Sequence, residues 1–239
     1  CSSRNMSVLI YERLMIYHFQ MGQAVVHLMD ISNLDEQIFV DKLPLSLLVE
    51  ASNRFKSKKR INEWLATRLL LQIIEGDEAE IVYEDNGAPK LKDSHKHISI
   101  SHSGTFVAIA LSNECVGLDV QIITDKALRL SSRFLTQEEI ALLNPSSDVE
   151  RAIYLWCAKE AVYKYLSKPG TELKGGIVLN MLGGKTVETV HGLKLHFNNI
   201  TDKHGFTTAQ FLGDIKGGHR RHKHHGDAGE DAGHTQGQY

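Results

Sequence analysis

The chain has 239 residues, 42% of them hydrophobic, so it is long enough to bury a core as one large domain or two small ones. Its 27 basic and 29 acidic residues give a formal charge of -2, which excludes a global field that attracts nucleic acid or membranes. Three widely spaced cysteines fit neither a disulfide framework nor a zinc pattern, and no apolar run is long enough for a membrane helix, so we expect a soluble cytoplasmic protein.

The N-terminal part of the chain is predicted to combine short strands with one long helix. Residues 1–20 have mixed character and receive no assignment. Runs of β-branched and apolar residues predict strands at residues 23–31, 81–83, 97–101, 106–111 and 116–123. Residues 57–75 carry apolar side chains at helical spacing and precede Gly76, which predicts a helix that stops there. Turns are expected at the Asn-Gly step of residues 84–89 and at Ser103 and Gly104.

The C-terminal part is predicted to contain two helices followed by strands. Thr136 and Glu139 have the T-x-x-E spacing of a capping box, so a helix should begin at Thr136 and end near residue 143. A longer helix is expected over residues 148–166, before Pro169. Further strands are predicted at residues 177–182, 186–197 and 206–212.

Residues 217–239 form a tail rich in His and Gly with almost no apolar side chain. Such a segment buries too little surface to offset the entropy of ordering, so we expect it to be disordered. Its histidines could bind a transition metal, although a solvated tail explains the composition without a ligand.

The strand at residues 116–121 places two oxygen-bearing side chains on one face. Side chains alternate along a strand, so Asp119 and Gln121 share a face that we expect to be exposed, opposite Leu118 and Val120. Gly117 would let a ligand or another backbone approach closely. An ordinary strand with a polar outer face is the alternative.

The long helix at residues 148–166 carries an aromatic, an acidic and a basic side chain along one side. Trp156, Glu160 and Lys164 are four residues apart, which aligns them on one helical face. A surface Glu-Lys pair is the alternative, but the helix has a separate apolar stripe to bury, so this face is predicted to border a cleft.

Three residues of the N-terminal part are candidate phosphate contacts. Arg68 lies beside the apolar stripe of its helix, where its stem could reach past apolar neighbours to solvent or its guanidinium could bind a phosphate with two hydrogen bonds. Ser101 and His102 are expected in a turn of residues 101–104 at a strand end, where loops often carry function but a lone histidine is usually structural.

Six motifs, in their order and spacing, resemble the 4'-phosphopantetheinyl transferase superfamily. They are WLATRLLL at residues 64–71, NGAPKL at 86–91, ISISHS at 98–103, GLDVQ at 117–121, RFLTQEE at 133–139 and WCAKEAVYK at 156–164. The resemblance covers about residues 23–214. It is closest to the larger, pseudodimeric branch, which acts on acyl carrier proteins and on the carrier domains of peptide or polyketide synthases.

The resemblance implies an α+β fold: a pseudo-twofold pair of subdomains, each a small antiparallel sheet packed with a long helix. The halves would comprise residues 21–115 and 116–216, joined near residues 113–117. Coenzyme A and a metal ion would lie in the groove between them. This arrangement would bring Asp119 and Glu160 together from different elements.

The resemblance also assigns roles to the motif residues. The metal-binding residues would be Asp119, Gln121 and Glu160, and the catalytic residues would be Glu160, Lys164 and Asp119. Glu160 would be the general base. The residues that bind coenzyme A would be Arg68, Gly87, Pro89, Ser101, His102 and Lys164, with Arg68 and His102 on its 3'-phosphate and Lys164 on its diphosphate.

The implied reaction is the magnesium-dependent transfer of 4'-phosphopantetheine from coenzyme A to a serine of an apo acyl carrier protein or peptidyl carrier domain. It releases 3',5'-ADP and serves fatty acid, polyketide or nonribosomal peptide biosynthesis. We expect a monomer that binds neither nucleic acid nor membranes. The basic residues Lys56, Lys58, Lys59 and Arg60 could meet an acidic carrier protein, or they could form a solvated helical turn.

Two residues depart from the family pattern. Gln121 stands where many members have a glutamate, and Ala88 stands where the family often has a lysine, for which Lys90 could substitute. These departures motivate one alternative, a catalytically weak member that acts as a coenzyme A or carrier-protein binding module. A second alternative is an unrelated α+β domain whose polar strand face is simply solvated.

Overall fold

The structure is a computed structural model that describes residues 6–21, 24–141, 143, 148–167, 170–181, 186–189, 194–200 and 206–212. The predicted tail at residues 217–239 lies outside this described part. Within it, no helix is both long and apolar enough to cross a lipid bilayer.

Strands and helices are spread along the whole described part of the chain. Its strands are β1 (Met6–Tyr11), β2 (Leu14–Met21), β3 (Ala24–Asp30), β4 (Ile81–Tyr83), β5 (Pro89–Leu91), β6 (His97–Ser103), β7 (Phe106–Ser112), β8 (Val116–Ile122), β9 (Leu179–Met181), β10 (Thr186–Thr189), β11 (Lys194–Ile200) and β12 (Phe206–Leu212). Its helices are α1 (Gln37–Lys42), α2 (Leu45–Arg54), α3 (Lys58–Glu75), α4 (Lys126–Arg129), α5 (Ser131–Phe134), α6 (Gln137–Ile140) and α7 (Val149–Leu166).

The strands form two five-stranded sheets and one hairpin. The first sheet has the order β1-β2-β3-β7-β6, the second has the order β8-β12-β11-β10-β9, and β4 pairs with β5. Neighbouring strands in each run antiparallel. The first sheet packs against α3 and the second against α7. The α+β class is therefore confirmed, whereas the pseudo-twofold relation and the boundary between residues 115 and 116 stay predictions.

The predicted elements are confirmed with changes at their ends. The helix predicted from Thr136 is shorter than expected, because α6 covers only Gln137–Ile140, although its capping box is present. The strand predicted at residues 186–197 is two strands, β10 and β11. Strand β6 continues to Ser103, so Ser101 and His102 belong to the strand rather than to a turn.

The unassigned N-terminal segment contains the first hairpin of the sheet. Strands β1 and β2 are joined by Glu12 and Arg13, whose φ angles are 43° and 72°. Glycine and asparagine are the residues that usually mark such left-handed turns. The hairpin gave no turn signal because neither residue type is present there.

Helix α3 covers one face of the first sheet, and β8 covers the other. The α3 core includes Trp64, Leu69 and Leu70, which are buried with Ile16 and Ile109. On the opposite face, one buried cluster joins Phe19, Val26 and Ala108 of the first sheet to Leu118 and Val120 of β8. The predicted inward direction of Leu118 and Val120 is thus correct, and β8 lies between the first sheet and α7.

Strands β6 and β8 belong to different sheets but are linked by serine side chains. Three backbone N–H groups of β8 donate to hydroxyls of β6: Leu118 to Ser99 at 2.9 Å, Val120 to Ser101 at 3.1 Å and Ile122 to Ser103 at 3.1 Å. Serines at every second position present their hydroxyls on one face, and β8 is an edge strand whose N–H groups need acceptors. We call this link the serine ladder.

Gly117 allows α7 to approach β8 closely. A Cβ atom at this position would lie 2.0 Å from the carbonyl oxygen of Ala161, which is backbone and cannot move aside easily. Of the two approaches that Gly117 would allow, a ligand or another backbone, the structure contains the second. The contact brings Asp119, two residues after Gly117, next to the middle of α7.

Candidate active site

A cavity of about 650 Å³ lies where α3, the β4–β5 hairpin, β6 and α7 meet. Its walls include basic side chains from both sequence halves and aromatic side chains from the first: Arg60, Arg68, His102 and Lys164, with Phe55, Trp64 and Tyr83. This size is in the range of small-molecule and cofactor sites. The cation-rich wall suits an anionic ligand with an aromatic part.

Arg68 is buried in the cavity wall with only 7% of its surface exposed. Its Nη1 donates to the carbonyl oxygen of Trp64 at 3.2 Å, its Nη2 donates to the Tyr83 hydroxyl at 3.2 Å, and its Cζ lies 3.3 Å from the centroid of the Trp64 ring. Burial lowers the pKa of Arg68, but a guanidinium stays charged in proteins. Arg68 therefore does not extend to bulk solvent, and it presents a fixed cation beside aromatic surfaces.

His102 faces α3 across the cavity. Its Nε2 lies 2.7 Å from Arg60 Nη1, and since a guanidinium only donates, Nε2 must accept. The ring is then neutral with its proton on Nδ1, which lies 3.6 Å from Glu63 Oε1. Burial lowers the pKa of His102, the Glu63 carboxylate raises it, and the nearby cations lower it.

The β4–β5 turn forms the rim of the cavity. Gly87 has a φ of +81°, a conformation that favours glycine, and Asn86 Oδ1 accepts from the Ala88 N–H at 2.9 Å. Asn86 Nδ2 also donates to the carbonyl oxygen of Ser167 at the end of α7, at 2.9 Å. This bond ties the rim to the helix that carries Glu160, and it joins the two sequence halves.

Asp119 is buried, with 3% of its surface exposed, so the prediction of an exposed face for it was wrong. Its Oδ1 accepts from Ser101 Oγ at 2.9 Å and from Lys164 Nζ at 2.8 Å, and its Oδ2 accepts from Gln121 Nε2 at 3.0 Å. The carboxylate is buried because α7 covers β8 at Gly117. Donors on three elements hold it in place, as a buried charge requires.

Glu160 lies one helical turn before Lys164 and is partly buried. Burial raises the pKa of the Glu160 carboxyl, the negative charge of Asp119 raises it further, and Lys164 lowers it. The strand carboxylate and the helix carboxylate are therefore close enough to interact electrostatically, with the ammonium of Lys164 beside them. Two neighbouring carboxylates of this kind are stabilised by a cation placed between them.

The oxygen donors around Asp119 fit a hard divalent cation such as magnesium. Asp119 and Glu160 supply carboxylates and Gln121 supplies an amide, and magnesium usually completes its sphere with water and substrate phosphates. Among the described residues, no group of three or more His, Cys, Asp or Glu side chains is placed to hold a metal ion.

The predicted site residues fall into two adjoining sets. Those that line the cavity are Arg68, Gly87, Pro89, His102 and Lys164, whereas Ser101, Asp119, Gln121 and Glu160 do not line it. Lys164 joins the sets, because it borders the cavity and bonds Asp119. The Ser101 hydroxyl serves Asp119 and the serine ladder, so the geometry gives no support to its predicted contact with coenzyme A.

The cavity residues that were not predicted as site residues include Arg60, Glu63 and Tyr83. Arg60 precedes Arg68 by eight positions, about two helical turns, so helical spacing could have placed the two on one face. Tyr83 carried no signal, because its strand is only three residues long. Ala88 and Lys90 both line the cavity. Lys90 is therefore available to substitute for the lysine that the family often has at position 88.

Comparison with known protein families gives a match, which lies in the C-terminal half of the chain. The family model for the 4'-phosphopantetheinyl transferase superfamily matches residues 115–232, a segment that includes β8 and α7.

The curated relatives are all named as transferases of this kind. The 4'-phosphopantetheinyl transferase gsp of Aneurinibacillus migulanus is 29% identical over 113 residues, 45% of this chain and 47% of the relative. Psf-1 of Bacillus pumilus is 33% identical over 89 residues, 36% of this chain and 38% of the relative. Sfp of Bacillus subtilis (strain 168) is 26% identical over 130 residues, 50% of this chain and 58% of the relative.

The matches thus span between 38% and 58% of the length of these relatives. The matched family segment carries the buried Asp119 and the Glu160–Lys164 face of α7, which adjoin the cavity. The motifs and the α+β fold agree with these matches, and the matched segment, residues 115–232, belongs to the 4'-phosphopantetheinyl transferase superfamily.

Proposed function

We propose that the protein transfers the 4'-phosphopantetheine group of coenzyme A to a serine of an apo carrier protein and releases 3',5'-ADP. One observation carries the proposal: Lys164 lines the cation-rich cavity and bonds Asp119, next to Glu160 on the same helix. A nucleotide in the cavity would therefore have its diphosphate near a paired set of carboxylates. The names of the relatives support the same activity.

The cavity offers separate contacts for the parts of coenzyme A. Arg68 and His102 would bind the 3'-phosphate, because a guanidinium and an imidazole supply hydrogen-bond donors suited to phosphate oxygens. Gly87 and Pro89 of the rim would face the nucleotide, and Lys164 would bind the diphosphate. The distribution of cations between α3 and α7 supports a ligand that spans both halves.

Glu160 would act as the general base towards the carrier serine. Its carboxylate accepts the hydroxyl proton as the serine oxygen bonds to the β-phosphorus of coenzyme A, and the bond from that phosphorus to 3',5'-ADP breaks. A raised pKa makes the Glu160 carboxylate a stronger base than an ordinary glutamate. Lys164 would stabilise negative charge on the departing ADP.

Asp119, Gln121 and Glu160 would hold magnesium. When bound, the ion neutralises charge on the diphosphate. Within this set the Asp119 carboxylate has a fixed orientation, because Ser101 and Lys164 both donate hydrogen bonds to it. Gln121 contributes a neutral oxygen, which supports weaker magnesium binding than a third carboxylate would give.

The partner would be an apo acyl carrier protein or a peptidyl carrier domain in fatty acid, polyketide or nonribosomal peptide biosynthesis. Basic residues at the start of α3 supply positive charge for an acidic carrier. The monomeric state and the cytoplasmic location remain expectations from the sequence.

The proposal is tested by mixing the protein with coenzyme A, magnesium and a panel of apo carrier proteins, and by measuring carrier mass. We expect a gain of one phosphopantetheine group with the natural protein and no gain with Glu160→Gln, which should still bind coenzyme A within a few-fold. Glu150→Gln, on the first turn of the same helix, should retain transfer and serves as the control. Full transfer by Glu160→Gln would remove Glu160 from the role of base.

A coenzyme A or carrier-protein binding module is the second candidate, and Gln121 and Ala88 favour it. It predicts that coenzyme A binds to the natural protein but that no carrier in the panel gains mass.

A further inference from the structure

Glu63 is a buried carboxylate in a cavity whose other charged walls are mainly cationic. It lies on α3, lines the cavity and has 4% of its surface exposed. A negative charge in such a position opposes the binding of an anion, and its burial costs free energy unless other groups compensate. Glu63 is therefore expected to have a role other than direct contact with an anionic ligand.

Three cationic or ionisable groups surround the Glu63 carboxylate. Arg60 Nη1 lies 3.3 Å from its Oε2, Lys59 Nζ lies 3.7 Å from its Oε1, and His102 Nδ1 lies 3.6 Å from its Oε1. Arg60 and His102 also contact each other at 2.7 Å. Glu63 is thus the common neighbour of two side chains that come from different elements, α3 and β6.

We propose that Glu63 is a positioning residue that holds Arg60 and His102 together as paired donors for a phosphomonoester of the bound nucleotide. The inference rests on the proposed function, because it takes coenzyme A, whose ribose carries such a group, as the ligand. It adds Arg60 to the contacts expected for this phosphate. Glu63 itself does not touch the ligand.

Ligand binding would change the hydrogen bonds of His102. In the structure Nε2 accepts from Arg60, so it has no proton to donate to a phosphate. Donation from both side chains requires the Arg60–His102 contact to open and His102 to gain a proton. The charged groups that act on His102 are Glu63, Arg60 and Lys59 from α3 and Lys164 from α7, and only Glu63 favours the protonated ring.

The experiment compares coenzyme A with dephospho-coenzyme A, which lacks the 3'-phosphate, by calorimetric titration of the natural protein and of Glu63→Gln. Electrostatics alone predicts tighter binding of coenzyme A to Glu63→Gln, because a negative charge near the phosphate has been removed. Positioning predicts the opposite, a loss of about tenfold for coenzyme A with less than a twofold change for dephospho-coenzyme A. The dephospho ligand also reports that the cavity of the variant is folded.

The pH profile separates positioning from a purely structural role. Protonated His102 can donate to the phosphate, so coenzyme A affinity should fall as the pH rises through the pKa of His102. Glu63 raises that pKa, so removal of Glu63 should move this fall in affinity to lower pH. Glu63→Asp, which keeps the charge, should retain the natural midpoint and serves as the second variant if Glu63→Gln does not fold.

Each contrary outcome has one meaning. Unchanged or tighter binding of coenzyme A to Glu63→Gln would overturn the role of Glu63 while leaving the proposed function in place. A natural protein that binds coenzyme A no better than the dephospho ligand would also overturn it. Failure of the natural protein to bind either ligand would instead contradict the proposed function.

Discussion

The carboxylate of Asp119 receives donors from Ser101, Gln121 and Lys164. Ser101 is the residue that links this carboxylate to the serine ladder, because its hydroxyl accepts from the Val120 N–H and donates to Asp119. Ser99 makes the same ladder contact, with the Leu118 N–H, and in the part of the chain that the structure describes its hydroxyl does not bond a carboxylate. The two serines therefore form a matched pair.

Ser101→Ala should lower both stability and transfer activity. Loss of its hydroxyl leaves a buried backbone N–H without its acceptor, at a cost of about 1–3 kcal/mol, and frees one side of Asp119. Ser99→Ala should cost a similar amount of stability and retain activity. The measurements are urea unfolding and initial transfer rates, and equal activities of the two variants would exclude a role for Ser101 in orienting Asp119.

Gln121→Glu tests whether position 121 contributes to the metal site. A third carboxylate beside Asp119 strengthens attraction for magnesium and adds repulsion when no cation is bound. We expect a lower magnesium concentration at half-maximal activity and lower thermal stability of the variant without magnesium. An unchanged magnesium requirement would show that this side chain does not touch the metal.

At the scale of elements, strands β2 and β3 hold a histidine pair outside the cavity. His18 Nδ1 and His27 Nδ1 lie 2.6 Å apart across the two strands. Burial lowers the pKa of His27 to about 4, and the positive charges of His18 and Lys96 contribute to the shift. The folded protein therefore keeps His27 neutral at pH values where an unfolded chain would protonate it.

This pair predicts a pH dependence of stability. The unfolded state binds more protons than the folded state between pH 6.5 and about 4, so the free energy of unfolding should fall as the pH falls through this window, by at most about 3 kcal/mol. His27→Gln should flatten that decline, whereas His95→Gln, an exposed control, should keep it. Urea unfolding at several pH values measures the effect, and equal slopes for all three proteins would contradict it.

Elements with a clear pattern were predictable from the sequence, and contacts between distant elements were not. Helix α3 was recognisable from apolar spacing and Gly76, and α7 from its own spacing and the proline after it. The β1–β2 hairpin was not, because Glu12 and Arg13 resemble no turn motif. Helices α1 and α2 received no assignment either.

The candidate site was predictable in its residue types but not in its connections. Strand alternation and helical spacing predicted the faces on which Asp119, Glu160 and Lys164 lie, and the family resemblance gave them their expected roles. The bond from Lys164 to Asp119 was not predictable, because it joins residues 45 positions apart. Burial of Asp119 depends on the approach of α7 at Gly117, which only the packed structure reveals. Glu63 gave no signal, because its role depends on a histidine from another strand.

At the scale of the whole molecule, the serine ladder and the Asn86–Ser167 bond join the two sequence halves. The cavity takes its cations from α3 in one half and α7 in the other. A ligand that reaches from Arg68 to Lys164 would therefore contact both halves. In the orientation that we propose, the diphosphate end of such a ligand would lie next to Asp119 and Glu160.

The most direct test is a crystal structure of the protein with coenzyme A and magnesium. We predict that one ion contacts the Asp119 and Glu160 carboxylates and a diphosphate oxygen, with Lys164 on the same diphosphate. An ion bound elsewhere, or coenzyme A seated in the cavity with its diphosphate away from both carboxylates, would contradict the account.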